Sequence, residues 1–272
     1  MRPSLFEIKY FETYFFANII NNILTNPFGY LRSLEEYFGE DSYIGFTKPF
    51  PKRSIFHSFI GWMIDNISSE DISSLDIDSI RKGQELWVDI AIKHYDIDDY
   101  SFHHFLVNTG KDVFEADDND IYDYFQDLRL CQIYDDLLDK MSEEIFFILF
   151  LNRALLQKFN ELVAHRISEH IVVDSAPEIN RYFKKDGVLK RVAIPTWVQR
   201  AILHRDRGMC TSCKKDISGL INIASSENFD HIIPLAIGGA NDVTNIQLLC
   251  ETCNKAKSKK HIVTSSHYEK WF

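Results

Sequence analysis

Two C-x-x-C pairs decide how the C-terminal region folds: C-T-S-C at residues 210–213 and C-E-T-C at residues 250–253, with 36 residues between them. A gap of this length lets the second pair return to the first. Four thiolates together offer zinc a closed tetrahedral site that leaves no open position for a substrate. The spacing therefore predicts a structural zinc ion on the four cysteines Cys210, Cys213, Cys250 and Cys253, with two disulfides or unrelated thiols as the alternatives.

The charge of the chain is distributed unevenly along its 272 residues. The formal net charge is −10, but residues 191–272 hold 11 lysines and arginines against 7 acidic residues, a balance of +4. The preceding 190 residues carry 19 against 33, or −14. Phosphate binding is therefore open to the second part alone, because the acidic first part repels a nucleic acid backbone.

The length of the chain and its 45% hydrophobic content allow two domains, each with a core of its own. The helical periodicity is broken by D-S-A-P at residues 174–177 and by K-K-D-G at residues 184–187. We therefore expect an α-helical domain over residues 1–185, which serves targeting, regulation or partner binding, and a second domain over residues 186–272.

The location of the protein is predicted from what its segments lack. The first residues do not form the apolar block and cleavage site of a signal peptide. The longest apolar run, residues 145–151, is far shorter than the roughly 20 residues that span a bilayer. Paired cysteines suited to a metal fit a reducing compartment. These features predict a cytoplasmic protein without membrane contact.

Helical periodicity dominates the first 185 residues. Apolar side chains recur every three or four residues from Ile8 to Ile23, which predicts one helix over residues 5–24. The acidic run that begins at Asp117 predicts the start of a second helix through Leu137. Ser142, followed by two glutamates, predicts the N-cap of a third.

The pattern changes after the predicted boundary. Thr196 is expected to cap a short helix that Gly208 ends. Two short strand-like segments follow, around residues 220–223 and residues 230–235, and the chain from Cys250 onward has a helical pattern. The predicted fold class is thus α+β: a mostly α-helical N-terminal domain and a small C-terminal domain built on the zinc site.

Two adjacent residues between the cysteine pairs carry candidate chemistry. Phosphodiester hydrolysis needs an activated water and a stabilised leaving oxygen. An imidazole is the side chain best matched to take a proton near neutral pH, so His231 is the predicted general base, and we expect it near the surface. The carboxylate of Asp230 suits a hard cation such as Mg²⁺ or Mn²⁺.

The order of these motifs resembles the zinc-bearing, four-cysteine branch of the HNH endonucleases over about residues 194–260. The resemblance rests on D-H-I-I-P-L-A-I-G-G at residues 230–239 and on N-I-Q-L-L-C-E-T-C-N-K at residues 245–255. It implies a ββα-metal fold and metal-dependent cleavage of nucleic acid, DNA in the first place, that leaves a 5′-phosphate and a 3′-hydroxyl. Such fusions occur in bacterial and phage restriction or anti-phage systems, which implies a role in defence.

The resemblance also implies roles for single residues. Asp230 and His231 would lie at a strand end, and Asn254 would supply the second contact to the catalytic metal from a helix. That position often holds histidine in the family. Asn245 would hold the loop and orient His231, with an ordinary turn-capping role as the alternative.

A lysine cluster follows on the same predicted helix. It is expected to contact phosphates and to give affinity without sequence choice, and a solvated helix face is the alternative reading. Its members are Lys255, Lys257, Lys259 and Lys260.

Two other functions remain open at the level of sequence. One is a zinc-ribbon module that binds nucleic acid or protein and cuts nothing, although such a module has no need of the Asp230, His231, Asn245 and Asn254 set. The other is an RNA-directed nuclease or toxin. A protein partner or an oligomer contact through the N-terminal domain is also expected.

Overall fold

The computed structural model describes residues 7–39, 43–170, 172, 177–219, 228–258 and 261–268. Its class is α+β, as predicted, with helices before residue 170 and two small antiparallel sheets after it. The helices and strands in chain order are α1 (Thr13–Thr25), α2 (Leu31–Tyr37), α3 (Tyr43–Thr47), α4 (Ile55–Ser74), α5 (Ile77–Arg81), α6 (Trp87–His94), α7 (Phe102–Thr109), α8 (Asp118–Arg129), α9 (Gln132–Leu149), α10 (Arg153–Ser168), α11 (Pro177–Asn180), β1 (Phe183–Lys185), β2 (Val188–Leu189), α12 (Thr196–Arg205), β3 (Phe229–His231), β4 (Ile246–Leu248) and α13 (Glu251–Lys257).

The chain divides into two compact units. The first comprises Met1–Ile20 with Phe59–Phe146, and the second comprises Asn21–Ser58 with Phe147–Phe272. Residues 186–272, the predicted second domain, therefore fold within a larger unit that also takes in earlier helices. Among the described residues, no helix is both long enough and apolar enough to cross a membrane.

The first unit contains a fully buried carboxylate, that of Glu144 on α9. It accepts hydrogen bonds from the Thr13 hydroxyl at 2.7 Å, the Tyr95 hydroxyl at 2.9 Å and the backbone N–H of Tyr10 at 3.2 Å. A buried charge is tolerated only when such donors replace its water. Glu144 thereby fixes the segment that precedes α1.

This anchoring explains why the first predicted helix begins late. The prediction placed it over residues 5–24, but α1 starts at Thr13 and ends at Thr25. Tyr10 and Glu12 have positive φ angles of 56° and 51°, which a helix does not allow. The backbone N–H groups before Thr13 bond to Glu144 and not along a helix. A tertiary contact has overridden the local periodicity.

The helix predicted from Asp117 through Leu137 is two helices in the structure. Its start is confirmed, since the Asp117 side chain accepts from the backbone of Asn119 and Asp120, and Asp120 returns the bond. The chain then leaves the helix after Arg129 and resumes it with α9 at Gln132. The apolar periodicity continues across this break, so the sequence pattern does not show where α8 ends and α9 begins.

The N-cap predicted at Ser142 is wrong. Ser142 lies inside α9 and is fully buried, and α10 begins only at Arg153. Its cap is Asn152, whose side-chain oxygen accepts from the backbone N–H of Leu155 at 3.1 Å. Serine and asparagine both cap helices well, and Asn152 is the one that lies between the end of α9 and the start of α10.

The second unit is built around α10. Phe159 of this helix packs against Phe56 and Phe38, with ring centroids 4.8 and 6.4 Å apart. Among the C-terminal elements, β3 and β4 pair antiparallel with Asp230 opposite Gln247, and α13 follows directly. We call residues 209–258 the ββα module. The strand-like segment predicted at residues 220–223 lies outside the described residues.

A buried ion network holds this module to the helices of its own unit. The fully buried Asp206 accepts from the guanidinium groups of Arg153 at 2.9 Å and Arg205 at 2.8 Å. Its second oxygen accepts from the backbone N–H of Leu248 at 2.9 Å. One carboxylate thus connects α10, α12 and β4, and the position of β4 is fixed from behind the site.

Candidate metal centre and active site

The four cysteines predicted to hold zinc meet in one cluster. Their sulfur atoms all lie within 4.8 Å of one another, and Cys213 and Cys250 have sulfurs 3.7 Å apart. Zinc bound to four sulfurs at about 2.3 Å places neighbouring sulfurs about 3.8 Å apart. A disulfide would need about 2 Å. The donor set and its spacing therefore fit a tetrahedral zinc ion.

Local backbone turns bring the first pair into position. Gly208 and Lys214 have φ angles of 66° and 64°, so the chain reverses on either side of the pair. The Cys210 N–H donates to the carbonyl of Lys215 at 3.0 Å, which closes the turn. The Thr211 N–H donates to the carbonyl of Leu248 at 2.9 Å, which joins the turn to the end of β4. The second pair follows β4 immediately.

The environment of Cys210 favours the thiolate that zinc requires. Burial raises the pKa of its thiol, but backbone N–H groups of Ser212, Cys213 and Cys250 outweigh this effect and lower the pKa to about 7. Hydrogen bonds from backbone N–H groups stabilise the negative sulfur. The protein thus prepares at least one ligand in its metal-binding form.

Asp230 and His231 occupy the last two positions of β3. Successive residues of a strand point to opposite faces, and the strand ends at His231. Asp230 lies on the side of α13, where its Oδ2 accepts from the Lys257 ammonium group at 2.5 Å. Lys257 also donates to the backbone carbonyl of His231. A single buried lysine therefore fixes β3 against α13.

His231 is buried, with 5% of its surface exposed, and the expectation of a surface position is wrong. Its Nε2 lies 3.2 Å from Oδ1 of Asn241, and the amide nitrogen of Asn241 donates to the carbonyl of Lys190 at 3.0 Å. This second bond fixes which end of the amide faces the ring, so Nε2 carries the proton and Nδ1 keeps the lone pair. Asn241 is a residue that the sequence interpretation missed.

The charge state of His231 follows from its surroundings. Burial lowers its pKa to about 4, and Arg191 and Lys257 act in the same direction, while Asn241 and Asp230 raise it. The neutral imidazole is therefore the form present at neutral pH, which is the form that accepts a proton.

Asn245 holds the loop between β3 and β4. It is fully buried, and its side chain accepts from the N–H of Ile233 at 2.8 Å and donates to the carbonyls of Ile233 and Ala240 at 3.0 and 2.9 Å. Its bonds go to the backbone of the loop, whereas the contact to the His231 ring comes from Asn241.

Two glycines let this loop lie close to other backbone. Gly238 has a φ of 89°, and a side chain there would meet the carbonyl oxygen of Ala164 at 2.3 Å. A side chain on Gly239 would meet the carbonyl oxygen of Ile233 at 1.9 Å. Gly238 therefore brings the loop close to α10, and Gly239 brings two parts of the loop close to each other.

The remaining predicted residues lie on or after α13. Asn254 is half-buried and stands one helical turn before Lys257, on the helix that contacts Asp230. Lys255 is exposed and pairs with Glu251. The phosphate contact of Lys257 stays a prediction, since its ammonium group here lies on Asp230. Lys259 and Lys260 lie outside the described residues.

Comparison with known proteins supports one family. Residues 210–260 match the family model of the HNH endonucleases, a span that includes both cysteine pairs, Asp230, His231 and Asn254. No curated protein and no solved structure matches the chain. The match covers most of the ββα module, which is therefore similar to the HNH endonucleases.

Proposed function

We propose that the protein is a metal-dependent HNH endonuclease that hydrolyses phosphodiester bonds of DNA. The observation that carries the proposal is the end of β3, where a neutral imidazole and a carboxylate occupy successive positions in a module with four clustered cysteines. A module that only binds needs the cysteines but not this pair. The resemblance implies products with a 5′-phosphate and a 3′-hydroxyl.

His231 acts as the general base in this proposal. Asn241 holds the Nε2 proton, so Nδ1 takes the proton of the attacking water. Burial keeps the ring neutral and therefore ready to accept that proton. Asn245 contributes indirectly, because it holds the loop that carries Asn241.

Asp230 and Asn254 are the proposed ligands of the catalytic ion. A carboxylate and an amide supply the oxygen atoms that Mg²⁺ and Mn²⁺ prefer. When bound, such an ion stabilises the negative charge on the phosphate and the leaving oxygen. Lys257 contacts Oδ2 of Asp230 and holds this carboxylate on the side of α13, the helix that carries Asn254. The zinc on the cysteines has no open position and serves the fold alone.

The proposal is tested by incubating the full chain with plasmid DNA and with RNA, with Mg²⁺ or Mn²⁺ added or omitted. We expect DNA cleavage that needs the added ion. His231→Ala and His231→Gln should both abolish it, and the glutamine variant keeps a hydrogen-bond donor for Asn241. Zinc content and the melting temperature control for folding, because His231 is buried.

The metal ligands give a different signature from the base. Asp230→Ala and Asn254→Ala should shift the Mg²⁺ titration to higher concentrations, because each removes one proposed ligand. A wild-type chain that cuts neither nucleic acid would favour the binding module, and cleavage of RNA alone would favour the RNA-directed nuclease. Cleavage by both His231 variants at the wild-type rate would show that the base is another residue.

The cytoplasmic location and the role in restriction or anti-phage defence stay parts of this proposal. The location draws support from the paired cysteines, which fit a reducing compartment, and the defence role from the resemblance to HNH fusions. Protection of cells against phage by the wild-type chain, and its loss in His231→Gln, would support the defence role.

A further inference from the structure

A basic hairpin lies just before α12. We give this name to residues 181–191, which form β1, β2 and their flanks. The segment has one acidic residue, Asp186, in a chain whose net charge is −10. Its five cations are all exposed, and they are Arg181, Lys184, Lys185, Lys190 and Arg191.

The hairpin is firmly built. Gly187 at its turn has a φ of 63°, and a side chain there would meet the carbonyl oxygen of Ser168 at 2.5 Å. The Gly187 N–H donates to the carbonyl of His170 at 2.9 Å, and the His170 ring lies on the Phe183 ring with centroids 4.3 Å apart. The turn is therefore seated on the end of α10, within the same unit as the ββα module.

The charges of the hairpin are open to a ligand. Asp186 uses its carboxylate to accept from the backbone N–H of Val172 at 2.8 Å. The Lys190 ammonium group donates to the carbonyl of Arg181 at 2.7 Å, and Arg181 itself lies on the Tyr182 ring. Lys190 and Arg181 thus contact neutral groups that leave their charges in place, and with Asp186 the hairpin carries a net charge of +4.

The hairpin also touches the proposed active site. The backbone carbonyl of Lys190 accepts from Asn241, which in turn faces the ring of His231. Strand β2 packs against the short helix Leu235–Ile237 in the loop that follows His231. These contacts fix the position of the hairpin relative to His231, which distinguishes it from a run of lysines on a solvated surface.

We infer that the basic hairpin binds the phosphate backbone of duplex DNA beside the bond that is cut. The inference rests on the proposed function, and it assigns DNA affinity to an element outside residues 210–260. Four of its five cations precede residue 191, so it departs from the expectation that only residues 191–272 bind phosphate. Cations that contact the backbone give affinity without sequence choice and add to the salt dependence of binding. A rigid hairpin would also set the distance between the bound backbone and His231.

The test measures binding of a short DNA duplex by the full chain at several salt concentrations, without added Mg²⁺ or Mn²⁺. Two double variants, Lys184→Gln with Lys185→Gln and Lys190→Gln with Arg191→Gln, each remove two charges and leave the backbone bond to Asn241 in place. The matched control is Lys82→Gln with Lys93→Gln, two exposed lysines of the first unit.

Each lost phosphate contact should lower affinity about 8-fold at 0.1 M salt and reduce the salt slope by about 0.9. We expect both hairpin variants to weaken binding about 10- to 60-fold, while the control binds as the wild type does. Hairpin variants that bind and cut like the control would overturn the inference and leave the endonuclease proposal intact. A wild-type chain that neither binds nor cuts DNA would instead overturn the proposed function itself.

Discussion

The cysteine cluster and the residues around His231 lie in the same small module but are organised in opposite ways. The four sulfur atoms all lie within 4.8 Å of one another, and those of Cys213 and Cys250 are 3.7 Å apart. The polar side chains of the other set are each held by a protein group: His231 by Asn241, and Asp230 by Lys257. The first site has the donor set and spacing that fit a metal ion, whereas the polar side chains of the second are positioned by other groups of the protein.

The largest expected effect comes from breaking the cluster. Cys250→Ser should abolish zinc binding and unfold the ββα module, because zinc binding free energy, on the order of 10 kcal/mol, is folding free energy in small metal modules. Elemental analysis and a thermal melt followed by near-UV circular dichroism measure both effects.

The matched control for this change is Cys131→Ser. Cys131 lies outside the cluster, and its sulfur donates only weakly to the carbonyl of Asp127, so the change should leave the zinc content as it is. Purified wild-type protein with no zinc, or a Cys250→Ser variant that melts like the wild type, would contradict the structural role of the metal.

The two sites differ in how much of them the sequence could predict, because the contacts of the first are local in sequence and those of the second are not. The C-x-x-C spacing and its turns are local, so the cysteine cluster could be predicted from the sequence, as could the helix α13 after Cys250. The strand predicted at residues 230–235 overlaps β3, whereas β4 was not predicted. The contacts of His231 are not local. Asn241 is ten residues away and Lys190 is distant in sequence, and neither is marked by a motif.

The helices show the same limit. The helix start at Asp117 is local and was predicted, whereas the late start of α1 depends on Glu144, more than a hundred residues away. Lys257 shows the same limit within the site. Its place in a lysine cluster predicts a phosphate contact, whereas the structure shows an ion pair with Asp230. Buried partners decide what a polar residue does.

A smaller effect is expected from loosening the loop that carries Asn241. Asn245→Ala removes three hydrogen bonds and leaves buried backbone groups of Ile233 and Ala240 without them. We expect a loss of stability of about 3 kcal/mol and a cleavage rate lower by about 10- to 100-fold. Urea denaturation and initial cleavage rates measure the two effects, and the zinc content should be unchanged.

Asn108→Ala is the control for this change, because Asn108 is exposed on α7 in the first unit. An Asn245→Ala variant as stable as this control would mean that the loop keeps its shape without the side chain. The loop would then be held by its glycine contacts to α10 and not by Asn245.

The smallest and most specific effect is expected from changing Asn241. This change tests whether Asn241 orients the His231 ring or only packs against it. Asn241→Ala should lower the cleavage rate about 10- to 100-fold, since the His231 ring loses the group that fixes its Nε2 proton. Asn241→Asp keeps an oxygen facing Nε2 and should retain more activity. Its negative charge favours the imidazolium form, so the pKa of His231 rises and the acid side of the pH–rate profile moves to higher pH. Cleavage rates from pH 4 to pH 9 would reveal that shift, and a purely structural role for Asn241 would lower the rate in both variants without moving the profile.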